Sequence, residues 1–243
     1  MKKFRMLTIW TGLFFVILPI LLNAEINIKT PAWQRAKELT KKGNYVFLFI
    51  TDNENEDSKN MLKTIKEIVS SKIKKVDIIR ISKNDPNEKV LIDLFKIGEY
   101  PATITLAPNG AITGFFTKTV IKDSLRSSLV SLKESEVIKN LQDGRAIFLC
   151  FYGKNSSDYL SVQNEIESVA ANFKGSVNAI YVDSGEENLR KKVSLSSEIT
   201  TVFIILPPGR IATQLDGANI TKANLMRTFL SSCGSGGCGS GCK

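Results

Sequence analysis

Short apolar runs alternate along this chain with stretches whose apolar positions recur every three or four residues, and the whole alternation occurs twice. Residues 33–133 open on the amphipathic AWQRAKELTKKG and pass into the apolar YVFLFIT. There follow a polar-start helical stretch, NEDSKNMLKTIKEIVSS, a second apolar run, VDIIRIS, and a shorter helical stretch, PNEKVLIDLFKIG. The copy closes with ATITLA, the turn PNG, AITGFF and the helical VIKDSLRSSLVSLK. Residues 134–232 repeat the series as SEVIKNLQDG, AIFLCFYG, DYLSVQNEIESVAANFKG, VNAIYVDS, EENLRKKVSL, TTVFIIL, PPG, RIATQLDG and TKANLMRTFLSS. Gly110 and Gly209 mark equivalent turns 99 residues apart, and Val76 and Val177 begin equivalent strands 101 apart.

Each copy therefore predicts the order β-α-β-α-β-β-α. The first two strands of a copy are joined by a long helix, so they run parallel and are buried on both faces. The last two are joined by a tight turn and form an antiparallel hairpin. A central mixed sheet flanked by helices, an α/β architecture present twice, satisfies these constraints. The domains expected are 25–133 and 134–232, preceded by a leader at 1–24 and followed by a tail at 233–243.

This order, together with LIDLFKIGEYPATITLAPNGAITGFF, resembles the thioredoxin-like superfamily. The resemblance covers nearly all of the chain beyond residue 24. It implies that Pro101, in EYPAT, is the family's cis-proline, and that Tyr100 and Pro101 help to hold a peptide. In the second copy Thr200 or Thr201 stands at that position, and a trans peptide is expected there, because a cis bond before a residue other than proline costs about 2.5–4 kcal/mol.

Enzymes of that family work through Cys-x-x-Cys at the start of the first long helix, where the helix dipole and unpaired N–H groups lower the pKa of the first thiol. Here the matching stretches are FITDNENEDSKNML and FYGKNSSDYLSV, and neither contains cysteine. Asn55 and Ser58 stand where the two cysteines would be. The active-site disulfide is thus absent from both copies, and the expectation is a redox-inactive scaffold or binding module rather than a dithiol oxidoreductase. Asn53 or Asn55 is expected to cap the first of these helices, and Ser156 or Ser157 the second. Glu54, Glu56 and Asp57 suit the positive helix end.

Composition narrows the chemistry further. There is no histidine in the 243 residues, which excludes His-based acid–base catalysis, a Ser-His-Asp triad and imidazole metal ligands. Lys2, Lys3 and Arg5 precede an uncharged apolar run from Met6 to Leu22, and LNAE offers a cleavage point after Ala24. This pattern predicts a signal peptide and a periplasmic or secreted protein, in a compartment where thiols can pair. Membrane attachment is expected only if the leader stays uncleaved. The net charge of +9 falls to +6 on removing the leader and is spread through patches such as KKG and SSKIKKVD. These read as solvated helix faces, so no nucleic acid is expected as partner. The expected partner is another exported protein.

Of four cysteines, Cys150 lies in the apolar run AIFLCFYG and is expected to act as a small buried hydrophobe, with exposure as a partner for the tail the alternative. The other three, Cys233, Cys238 and Cys242, stand among Gly and Ser in SSCGSGGCGSGCK. Gly–Ser composition behaves as a flexible coil, spanning roughly 17 Å root-mean-square between Cys233 and Cys242. Three roles for these thiols stay open beside an inert tail. One is thiol–disulfide exchange through Cys238 and Cys242 with Cys233 as resolving partner. A second is a soft-metal site for Cu(I) or Zn. A third is attachment of a covalent cargo. In the first and third no cofactor is needed.

Overall fold

A computed structural model describes residues 28–71, 74–153, 158–183, 185–195 and 199–234. Residues 1–27, which include the expected leader, and those beyond Gly234 lie outside the described residues. In the first half, α1 (Pro31–Lys41), β1 (Tyr45–Thr51), α2 (Glu56–Ser70), β2 (Val76–Ser82), α3 (Lys89–Leu94), β3 (Ala102–Leu106), β4 (Ile112–Thr117) and α4 (Lys122–Ser127) follow one another. The second half repeats them as α5 (Leu132–Gln142), β5 (Ala146–Phe151), α6 (Tyr159–Ala170), β6 (Val177–Val182), α7 (Glu187–Lys192), β7 (Thr201–Leu206), β8 (Arg210–Asp216) and α8 (Lys222–Gly234). The sheets have the orders β2-β1-β3-β4 and β6-β5-β7-β8. In each, the first two strands of the copy pair in parallel and all other pairs are antiparallel. This is the thioredoxin-like arrangement, present twice.

Alternation along β1 builds two half-cores, because successive side chains of a strand face opposite sides. Val46, Leu48 and Ile50 meet α1 and α3 through Trp33, Ala36, Leu91, Ile92 and Phe95. Phe47 and Phe49 meet α2 and α4 through Met61, Ile65, Ile68 and Leu125. In the second half Ile147, Leu149 and Phe151 face α5 and α7, while Phe148 and Cys150 face α6 and α8. Helix α1 is fixed at its start by Glu88, whose Oε1 accepts the Ala32 N–H at 2.7 Å from the 3-10 turn Pro86–Glu88.

Two local features depart from the sequence pattern. The stretch 120–133, which reads as one closing helix, is the short α4, a turn, and the beginning of α5. Ser131 starts α5 by accepting the Glu134 N–H on its Oγ at 3.1 Å, and a new N-cap at this point ends any continuous helix. At the other end, α8 runs to Gly234, so Cys233 lies inside the helix rather than beyond it. The hairpin turns lie where PNG and PPG place them, with Gly110 at φ +79° and Gly209 at φ +136°, both disfavoured for other residues.

Gly114 of β4 lies against Ser128 at the end of α4. A Cβ on it would lie 2.8 Å from Ser128 Cβ and 2.7 Å from Phe116 Cε2. Beside it, the Ser128 and Thr105 hydroxyls bond at 2.9 Å, securing the helix end to β3. Gly114→Ala is expected to lower the unfolding free energy by about 1–3 kcal/mol through overpacking, read as a lower urea midpoint. An unchanged midpoint would show that the segment after α4 yields freely.

Candidate functional site

Sheet register brings the matched positions of the first half together. Ile50 pairs with Ala102 and Thr51 with Ser82, so Thr51–Asp52, Lys83 and Tyr100–Pro101 gather at one end of the sheet, beside the start of α2. The Tyr100–Pro101 peptide is cis, as the resemblance implies. Asn55 is the N-cap of α2, and its Oδ1 accepts the Ser58 N–H at 2.9 Å. Ser58 is buried and shares a hydrogen bond of 2.9 Å with Thr51 Oγ1. The two positions spaced as a dithiol are therefore a helix cap and its recipient. Asn53 plays a supporting part, accepting the Asn55 N–H at 3.2 Å.

A charged and aromatic group faces this cap. Lys83 Nζ lies 3.6 Å from Asp52 Oδ2 and 5.0 Å from the centre of the Tyr100 ring. Tyr100 donates its hydroxyl to the Ile97 carbonyl at 3.0 Å. Burial raises its pKa above the usual phenol value, with Asp52 and Asp93 adding to the effect. The hydroxyl thus stays protonated and serves as a donor. Together these groups form a polar and aromatic surface with no nucleophile. Sequence reading singled out Tyr100 and Pro101 but not Asp52 or Lys83, since only the parallel β1–β2 register shows that the strand ends meet.

The second half carries a different group at the same place. Asp158 is the N-cap of α6, and it makes no side-chain cap bond to the helix. Its Oδ1 instead accepts the Thr200 hydroxyl at 2.9 Å, tying the helix start to the loop before β7. Ser156 and Ser157 lie outside the described residues. Neither cis peptide among the described residues falls at Thr200 or Thr201; the second is Pro207–Pro208, in the hairpin turn. Tyr152 and Tyr159 lie with ring centres 4.2 Å apart, and Tyr181 meets Tyr159 edge-on at 6.0 Å. Burial pushes the Tyr181 phenol up, and Glu167, 3.5 Å from its hydroxyl, adds to the shift. Three of the chain's five tyrosines meet here, a gathering whose only signal in the sequence is their placement at the ends of β5 and β6 and the start of α6.

Cys150 lies beneath these rings and has no solvent exposure. Burial, with a smaller contribution from Asp158, pushes its thiol up to about 12. A buried thiol held protonated is a poor nucleophile. Of the tail cysteines, Cys233 is on the last turn of α8, and Cys238 and Cys242 lie outside the described residues. Among the described residues no group of three His, Cys, Asp or Glu side chains could hold a metal ion, and no helix is long and apolar enough to cross a membrane.

No protein-family profile matches the chain, and no curated protein matches it. Solved structures do, at low sequence identity. The zinc-bound form of human ERp44 is 11% identical with a TM-score of 0.34, and the match covers 82% of this chain and 59% of ERp44. The chain thus corresponds to little more than half of that protein. An N-terminal domain of the alkylhydroperoxide reductase AhpF from Enterococcus faecalis is 18% identical, with 80% and 97% covered and a TM-score of 0.31. The first two thioredoxin domains of Saccharomyces cerevisiae Eps1p are 12% identical, with 82% and 94% covered and a TM-score of 0.29. Strand order and helix placement within each half, rather than these superpositions, identify the halves as thioredoxin-like.

Two outcomes follow for the site. Asn55→Ala is expected to cost about 1 kcal/mol by removing the cap of α2, measured by urea unfolding. In a variant with the three tail cysteines replaced by Ser, iodoacetamide at pH 8 is expected to add nothing to the folded protein and one group to the unfolded one, read by intact mass. Labelling of the folded variant would place Cys150 within reach of solvent.

Proposed function

We propose that this chain is an exported tandem thioredoxin-like protein without an active-site Cys-x-x-Cys. It acts as a binding and adaptor module in periplasmic thiol–disulfide handling, through its C-terminal cysteines. The observation that carries this reading is the placement of the first-half site and of Cys150. The dithiol positions are occupied by the Asn55–Ser58 cap, and the one cysteine of the folded core is buried and held as a thiol. Sulfur chemistry then falls to Cys233, Cys238 and Cys242.

In this reading a thiolate of Cys238 or Cys242 attacks one sulfur of a partner's disulfide. A mixed disulfide forms and the partner's other sulfur leaves as a thiolate. Cys233 then attacks the tail sulfur of the mixed disulfide, closing a disulfide within the tail and releasing the partner's second thiolate. Two electrons pass from the tail to the partner, and the reverse sequence oxidises a partner dithiol. The surface at Tyr100 and Pro101 holds the partner chain, and tethering by the Gly–Ser tail raises the effective thiol concentration near it to the order of millimolar.

Replacing Cys233, Cys238 and Cys242 by Ser is expected to abolish disulfide exchange with a small dithiol reductant. Unchanged exchange would overturn the proposal. Intact mass of the exported protein, before and after alkylation, reads in the same experiment the cleavage after Ala24 and the number of thiols the tail presents.

A further inference from the structure

Tandem domains joined by a short connection move independently unless something locks them, since contacts between domains of one chain are commonly modest. Here the connection from the end of α4 at Ser127 to the start of α5 at Leu132 is held by the first half. The Val130 carbonyl accepts the Tyr45 hydroxyl at 2.5 Å and the Lys74 ammonium at 2.5 Å. Lys74 also lies 2.9 Å from the Tyr45 hydroxyl and 4.6 Å from its ring centre, so the strand start of the first half pins the linker. Val130 itself is buried.

A second contact lies further along α5. The Gln142 side chain donates from Nε2 to the Ile112 carbonyl at 2.8 Å and accepts the Ile112 N–H on Oε1 at 3.1 Å. A primary amide presents its donor and acceptor in the spacing of a peptide unit. Gln142 thus satisfies both backbone groups of the first residue of β4, at the edge of the sheet, as a neighbouring strand would. Between the two contacts, Ile138 of α5 packs on a buried patch of Tyr45, Ala107 and Ala111.

The repeat itself shows that this surface is particular to the first half. With the turns aligned at Gly110 and Gly209, Ala107 and Ala111 correspond to Leu206 and Arg210, and the strand starts align Tyr45 with Ala146. In the second half Leu206 and Arg210 therefore fill the space the two alanines leave, Ala146 lacks the tyrosine hydroxyl, and Arg210 donates to the Ser232 carbonyl of α8 at 3.3 Å. Small residues at 107 and 111 let α5 approach the hairpin, and the tyrosine hydroxyl reaches the linker.

We infer that this seam locks the two thioredoxin-like domains into one rigid body. The two helix starts, at Asn55 and Asp158, then keep a fixed separation and orientation, and the end of α8 is a fixed point from which the cysteines extend. The lock also closes the β4 edge at Ile112 to strand addition by another chain.

Backbone 15N relaxation of the full chain tests the lock. Wild type is expected to give one rotational correlation time for residues of both domains. Ile138→Lys combined with Gln142→Ala drives an ammonium against Ala107 and Ala111 and removes both bonds to Ile112. Loss of the shared value, with two shorter correlation times and well-dispersed amide spectra, is the expected result. Should that variant lose dispersion in the second domain, Tyr45→Phe with Lys74→Met removes the Val130 anchor from the first domain and is expected to separate the two values likewise. Distinct correlation times in wild type, or one shared value retained in a folded variant, would overturn the inference.

Discussion

Burial of β1 and β5 on both faces is the constraint on which the rest of this structure depends. A central strand such as YVFLFI has no polar side to turn to water, so helices must cover the sheet above and below. Parallel pairing with the next strand in the copy requires a crossover helix, and that helix begins where β1 or β5 ends. Each domain thereby acquires a helix start, a strand end and the loop before the third strand in one place. The chemistry of the site is a choice of residues at an address the backbone has already set.

The two halves use that address differently. In the first, Asn55 accepts the Ser58 N–H of the helix start and the Ser58 hydroxyl bonds Thr51, while Lys83, Asp52 and Tyr100 form a polar rim. In the second, an aspartate is turned away from the helix toward Thr200, and stacked tyrosines cover a buried cysteine. Neither arrangement carries a nucleophile among the described residues. What distinguishes the halves is the set of side chains each presents at the same place.

Much of this was legible in the chain before its structure. Periodicity located the strands and the repeat, because a buried strand and an amphipathic helix leave incompatible patterns of apolar positions. The cis peptide at Pro101 was implied by the resemblance, and a cap at Asn53 or Asn55 followed from local preference, with Asn55 filling it. What periodicity could not show was every feature made by register or by two segments far apart. Lys83 meets Asp52 only through the β1–β2 pairing, and Thr200 captures Asp158 across 42 residues. The break between α4 and α5 was hidden as well, since Ser131 and Glu134 are compatible with a helix interior until the capping bond is seen.

The Asn55–Ser58 pair also bears on how such a chain changes over generations. A dithiol at these positions would need a thiol at the N-cap and another where Ser58 now bonds Thr51. Introducing either cysteine alone forfeits a hydrogen bond of the present helix start while conferring no disulfide, so each single step toward the catalytic form is a loss. The polar cap thus acts as a ratchet: the helix start as it stands opposes the arrival of a sulfur pair at these two positions.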